Sequence, residues 1–190
     1  LDSGFIPDQI CEKLPSSFDD IENLASELPK VLTNEQIVER VEQLERDKDI
    51  NNLDTSELER AMLLYSYVGH AYMWGKKHVE NTIPKELAIT WFNISKKLER
   101  PPILSYASYA LNNWKKLDDT KPFDLENIVI MQNFLGGVDE DWFIMIHVAI
   151  EYEAKEILSN LKSYFLEKNL DKSYLQKALD SIKKINAIMN

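Results

Sequence analysis

The sequence predicts an all-α protein, and three observations carry that prediction. Apolar residues recur at three- and four-residue spacing through most of the chain. Acid and hydroxyl residues stand where these stripes begin, and glycine, proline or lysine where they end. One stretch, Trp142 to Ile150, has nine consecutive residues without a charge at neutral pH, the pattern of a helix buried on every side.

Residues 1–16 hold Gly4, Pro7 and Pro15 among scattered apolar side chains, which suits an extended arm laid on a surface. A helix is expected after Ser17, with Asp20 completing an acidic variant of the capping box. Phe18, Ile21, Leu24, Ala25 and Leu28 follow at helical spacing until Pro29 kinks or ends it. Thr33 and Gln36 suggest a second box leading into Ile37, Val38, Val41 and Leu44. Arg46 to Asn52 reads as polar loop. Asp54 and Glu57 form a third box, opening a long, mostly buried helix that runs to about Trp74 and stops at Gly75. His70 falls in this helix, between the small residues Gly69 and Ala71, and His78 in the loop beyond it with Lys76 and Lys77. The first is expected as a packed core residue, the second as a solvated one.

Pro84 opens the next helix, which carries Leu87, Trp91, Ile94 and Leu98, closes with Lys96 and Lys97, and ends before Pro101 and Pro102. A further helix is expected from Ile103 to about Trp114, with Tyr106, Ala110 and Trp114 on one side and Tyr109 adjacent. Asp118 to Pro122 is a turn. Ile128 to Ile130 fits either a short strand or an irregular helix. The central helix, Asp139 to Leu161, starts after Gly136 and Gly137 with Asp139, Glu140 and Asp141, acids suited to a helix N-terminus. A last helix begins near Ser173, with Leu175, Leu179, Ile182 and Ile185 as its stripe. That stripe still runs at Asn190, so the helix either folds back or is covered by further protein. The chain opens on Leu1 rather than methionine, which fits a numbering that begins inside a longer product.

Composition narrows the function classes. The 190 residues suffice for one good core, or for a small domain and part of a second. Thirty-two acids against 22 bases give a net charge of -10, which argues against nucleic acid and against anionic membranes. The single cysteine, Cys11, excludes an internal disulfide and fits a reducing, cytoplasmic setting, and it cannot found a zinc cluster. No uncharged run reaches the roughly 20 residues of a membrane helix.

His147 is the one polar side chain in the uncharged stretch. A buried imidazole without a partner costs roughly 1 to 3 kcal/mol, so it must be satisfied. Glu151, four residues on, or a backbone carbonyl would make it an ordinary core residue; otherwise it faces a ligand. Spacing leaves both open.

Several stretches resemble the indoleamine 2,3-dioxygenase family, the haem enzymes of tryptophan breakdown. They are Ala71-Tyr72-Met73-Trp74-Gly75-Lys76, Ser95-Lys96-Lys97-Leu98-Glu99-Arg100-Pro101-Pro102-Ile103-Leu104-Ser105-Tyr106-Ala107, Asn113-Trp114-Lys115 and Val138-Asp139-Glu140-Asp141-Trp142-Phe143. The likeness covers nearly the whole chain and about the first half of such an enzyme. It implies an all-helical haem protein, with residues 1–133 as a small N-terminal domain and 134–190 as the start of a larger haem-binding domain.

The resemblance further implies a cytoplasmic enzyme of the kynurenine pathway. Its haem b iron binds dioxygen, and both oxygen atoms enter the indole C2–C3 bond of L-tryptophan or a related indole. Tyr106, Tyr109 and Ala110 would line the distal pocket, with Phe143, Ile144 and His147 facing it from the central helix. Tyr106 and His147 would also meet the haem, and the resemblance moves His147 toward the pocket reading. Well-known members carry serine at the place of His147, a second aromatic at that of Ile144 and a small residue at that of Tyr109. No metal ligand is carried over onto this chain. The proximal histidine and the arginine that clasps the substrate carboxylate lie beyond the region present, on a C-terminal segment or a companion chain. The rival reading is a truncated, non-catalytic helical binding or regulatory relative.

Overall fold

The computed structural model describes residues 4–75, 81–167 and 172–189. His78 and the lysines beside it fall outside them. The fold is all-α apart from one two-stranded sheet. Three short helices, α1 (Asp19–Ser26), α2 (Leu28–Thr33) and α3 (Ile37–Glu42), precede two longer ones, α4 (Thr55–Trp74) and α5 (Lys85–Lys97).

The start of α4 is fixed by a reciprocal box. The Asp54 carboxylate accepts from the Glu57 N–H at 2.9 Å, and the Glu57 carboxylate accepts from the Asp54 N–H at 2.9 Å. Such a cap satisfies two N–H groups that the helix itself leaves without partners. The helix is then enclosed by α1, α2, α3 and α5. Ala61, Met62, Leu63, Leu64, Tyr65, Tyr67 and Val68 are all fully buried, although they point in every direction around its axis. Gly69 permits the closest approach: a Cβ there would stand 2.4 Å from Trp91 Cζ3 on α5.

The other two expected boxes are absent. Ser17 lies in a 3-10 turn, Ser16–Phe18, and the Asp20 carboxylate instead accepts from the Ile21 and Glu45 N–H groups. Thr33 ends α2, and its hydroxyl donates to the Pro29 carbonyl at 2.7 Å. The polar loop after α3 is also less solvated than its composition implies. Lys48 is buried, its ammonium donating to the Ser17 carbonyl at 2.6 Å and to Glu45 at 2.6 Å, with Asp20 at 3.1 Å. Arg60 on α4 pairs with Glu22 on α1 at 2.8 Å, both nearly enclosed.

The helix expected from Ile103 to Trp114 does not form. A five-residue π-helical turn, Ala107–Leu111, is followed by β1 (Trp114–Lys116), which pairs antiparallel with β2 (Ile128–Ile130). The cause is side-chain competition with the helical ladder. The Asn112 amide nitrogen donates to the Ala107 carbonyl at 3.0 Å, widening the turn. The buried Asn113 side chain then ties three segments together. Its nitrogen reaches the Gln132 carbonyl at 2.7 Å and Tyr67 Oη at 3.0 Å, and its oxygen accepts from the Gln132 N–H at 2.8 Å. Gln132 in turn donates to the Ala25 carbonyl of α1 at 2.8 Å.

Two helices complete the chain, α6 (Val138–Glu167) and α7 (Lys172–Ile188), which runs back along α6 with Lys184 3.1 Å from Glu153. One face of α6 closes a second apolar cluster made of Ile6, Ala110, Trp114, Ile128, Ile144 and Val148. Beside it Phe123 stacks on Tyr152 at 3.8 Å and meets Trp114 edge-on at 5.3 Å. The N-terminal arm lies on the same helix: Gly4, at φ +68°, passes so close that a Cβ would stand 3.0 Å from Lys155 Cα. The expectation that α6 is buried on every side is not met. Trp142 and Phe143 are 53% and 54% exposed, whereas Ile144 and Val148 turn into the second cluster. The α7 stripe of Leu175, Leu179 and Ile182 is exposed as well.

Candidate functional site: an open aromatic face with one imidazole

The site begins with the loop into α6. Gly136 and Gly137 take φ of +71° and +125°, conformations that favour glycine, and turn the chain. The Glu140 carboxylate accepts from the Phe134 N–H at 2.8 Å and from the Leu135 and Gly136 N–H groups at 3.2 Å. Asn133 donates to Asp141 at 3.1 Å. The acids at the head of α6 therefore also bind the loop before it, fixing where Phe143 and His147 emerge.

Phe143 and His147, four residues apart, share a stripe along α6. Their rings stand 4.4 Å apart, and the His147 Nδ1–H donates to the Phe143 carbonyl at 2.6 Å. Of the two partners the spacing allowed, the carbonyl is the one used. Glu151 is engaged elsewhere, accepting from the Tyr106 hydroxyl at 3.2 Å. His147 is half-buried at the edge of an open surface rather than enclosed in a core.

The π-helical turn supplies the opposite side. Tyr106 meets His147 edge-on at 6.0 Å, and Tyr109 meets Phe143 at 6.2 Å. Tyr109 also stacks on Tyr67 of α4 at 5.9 Å, and Tyr67 packs on Phe134 at 4.5 Å. A run of rings thus leads from the α4 core out to the exposed face. Burial, then the negative Glu151, push the Tyr106 hydroxyl up to about 12, and burial with Glu140 raises that of Tyr109. Both phenols stay protonated at neutral pH.

Ala110 and Ile144, expected to line the pocket, stand behind the rings at 1% and 0% exposure. The reason is helical rotation: Ile144 lies about 100° round the helix from Phe143 and so points into the second cluster. The face is also not a closed pocket. Among the described residues, cavities of about 350 to 590 Å³ open elsewhere without Tyr106, Tyr109, Phe143 or His147 in their walls. Among the described residues no group of three or more His, Cys, Asp or Glu could hold a metal ion, and no helix is long and apolar enough to cross a membrane. His70 is half-buried rather than fully packed, with its Nδ1–H on the Ser66 carbonyl at 2.9 Å.

Tyr67, which supports Tyr109, was not singled out by spacing, and neither was Trp142, exposed about 100° round α6 from Phe143. Neither carries a local signal, since each reads as one more apolar residue of a buried helix.

These features define a class: a helical protein that presents a broad aromatic surface with an oriented imidazole and, among the described residues, no group that could hold a metal ion. Comparison with known proteins makes the class specific. The family model for indoleamine 2,3-dioxygenase matches residues 1–190, and the chain belongs to that family. It is 33% identical over 186 residues to indoleamine 2,3-dioxygenase 1 of Rattus norvegicus, covering 95% of this chain and 45% of that protein. To the indoleamine 2,3-dioxygenase of Saccharomyces cerevisiae it is 30% identical over 139 residues, 68% of this chain and 30% of that one. Against indoleamine 2,3-dioxygenase 2 of Homo sapiens the figures are 26% over 153 residues, 80% and 38%. The chain therefore spans less than half the length of these relatives.

Proposed function

We propose that the chain forms the distal wall of a haem-dependent dioxygenase acting on L-tryptophan or a related indole. One observation supports the reading: Tyr106, Tyr109, Phe143 and His147, all implied by the resemblance, gather on one face, with an imidazole whose orientation is already set. In this reading residues 1–133 are the small domain and 134–190 open the large one.

The face suits a porphyrin and an indole in kind. It is apolar, aromatic and half exposed, and the one imidazole on it has its Nδ1–H already committed to the Phe143 carbonyl. Tyr106 and His147 would meet the haem edge, and the proximal ligand would come from sequence outside this chain. When bound, haem supplies the activation of dioxygen.

The residues of this chain bind and orient. Phe143 and Tyr109 clasp a flat ring, backed by Ala110 and Ile144, whose close packing keeps the two aromatic walls in place. With Nδ1–H committed to the Phe143 carbonyl, Nε2 is the ring edge left to meet a ligand. It is suited to receive the indole N–H and hold the ring in register. Tyr106 stays protonated, tethered to Glu151, and closes the side against water.

The test uses the protein from its native source, with its intact mass measured first. It is expected to exceed this chain in length, to bind haem stoichiometrically and to convert tryptophan or an indole to the C2–C3 cleavage product. In that protein His147→Ala is expected to lower kcat/KM about tenfold, the loss of one buried hydrogen bond. Unchanged oxygen binding, substrate affinity and turnover would overturn the role of His147. A native protein without haem or turnover would leave a helical binding module instead.

A further inference from the structure

A second site lies at the far end of α4, and it shares with the aromatic face only Phe134, the inner end of the run of rings. The cavity there has a volume of about 490 Å³, within the roughly 300 to 1,000 Å³ of small-molecule sites. Its walls are Leu32, Ala71, Leu104 and Phe134, with Trp74 and Leu135 on the rim at 65% and 66% exposure. Large apolar side chains grouped in solvent mark a binding surface more often than chance.

The shape depends on Gly75. A Cβ there would stand 2.3 Å from Leu32 Cδ2 and 2.5 Å from the Ala71 carbonyl oxygen, so only a glycine lets Leu32 close the wall. Its φ is an ordinary -78°, and the requirement is therefore for space rather than for an unusual backbone.

One polar group enters this apolar lining, the imidazole of His70. Its Nδ1–H is held by the Ser66 carbonyl of its own helix at 2.9 Å, and its ring lies edge-on to Trp91 at 6.2 Å. Nε2, on the opposite edge of the ring, accepts no hydrogen bond among the described residues and is left as an acceptor. An apolar cavity with aromatic walls and one directed acceptor selects a particular chemistry.

We propose that this cavity binds a flat, uncharged aromatic molecule that donates one N–H or O–H to His70 Nε2. Trp74 and Phe134 cover its faces, and His70 sets its orientation.

The probes that test this are indole and benzothiophene, which match in shape but differ in the ring N–H. Each is titrated into the isotope-labelled 190-residue chain, with methyl, amide and imidazole NMR signals followed. Saturable shifts are expected at Leu32, Ala71, Leu104 and the His70 ring, with indole about tenfold the tighter of the two. His70→Phe is expected to bring the two probes to equal affinity. Leu135→Glu, a change on the exposed rim that leaves the core untouched, is expected to weaken both. Equal affinities on the unaltered chain, no saturable binding, or shifts confined to Tyr106, Phe143 and His147 would each overturn the proposal. None of these outcomes bears on haem or turnover, so its failure is distinguishable from failure of the dioxygenase reading.

Discussion

In sequence α4 and α6 look alike, since each is apolar around most of its circumference. In structure α4 is enclosed by four other helices and the π-helical turn, whereas α6 meets α7, the sheet and that turn and still leaves Trp142 and Phe143 in solvent. An all-round apolar pattern therefore reports that a helix is to be covered, not what covers it. Where cover is present the pattern signals core. Where it is lacking, the same pattern leaves an apolar face open.

Perturbations at matched depth separate the two helices. The largest effect is expected at the Arg60–Glu22 pair that clamps α4 to α1: Arg60→Leu leaves Glu22 without its cation and should cost about 3 to 5 kcal/mol in urea unfolding. On α6, Ile144→Ala removes a fully buried side chain of the second cluster and should cost about 2 to 4 kcal/mol. Gly69→Ala forces a methyl against the Trp91 ring and should cost about 1 to 3 kcal/mol, measured the same way. Phe143→Ser, next to Ile144, should change the stability of the 190-residue chain by less than about 0.5 kcal/mol while removing aromatic-ligand binding at that face. A loss comparable to that at Ile144 would mean that Phe143 belongs to the core after all.

The smallest effect concerns the α4 cap. Hydrogen bonds from the Glu57 N–H and the Ser56 hydroxyl hold the Asp54 carboxyl below its ordinary value. Its contribution is thus fully present above the ordinary aspartate range and fades as pH falls through the lowered folded value. Asp54→Asn, which can still cap, should flatten the acid limb of a stability–pH curve while leaving the neutral region nearly unchanged.

Much of the fold was legible because local chemistry decided it. The Asp54–Glu57 box, the end of α4 at Gly75, the lysines closing α5 and the start of α6 all depend on neighbours in sequence. The failures have long-range causes. Asn113 turned an expected helix into a strand by bonding Tyr67 and Gln132, and Lys48 became a buried cation because three segments converge on it. At the candidate site the resemblance pointed to α6 and to the turn before β1, which the structure brings face to face. Rotation about the axis of α6 then separated Phe143 and His147, on the face, from Ile144 behind it. The second cavity was not legible at all, since Leu32, His70 and Leu135 meet only in the folded chain.

The N-terminal arm carries a consequence for how the chain is made. Every buried member of the α4 cluster lies between Leu14 and Ile94, so that core can close early as the polypeptide leaves the ribosome. Ile6 emerges before all of them, but its companions include Ile144 and Val148. At roughly 5 to 20 residues per second, Ile6 waits several seconds after the first core is complete before its own partners are synthesised. Pro7 and Asp8 stand directly beside it, a ring and a charge of the sort that keep an idle apolar side chain from joining a foreign strand.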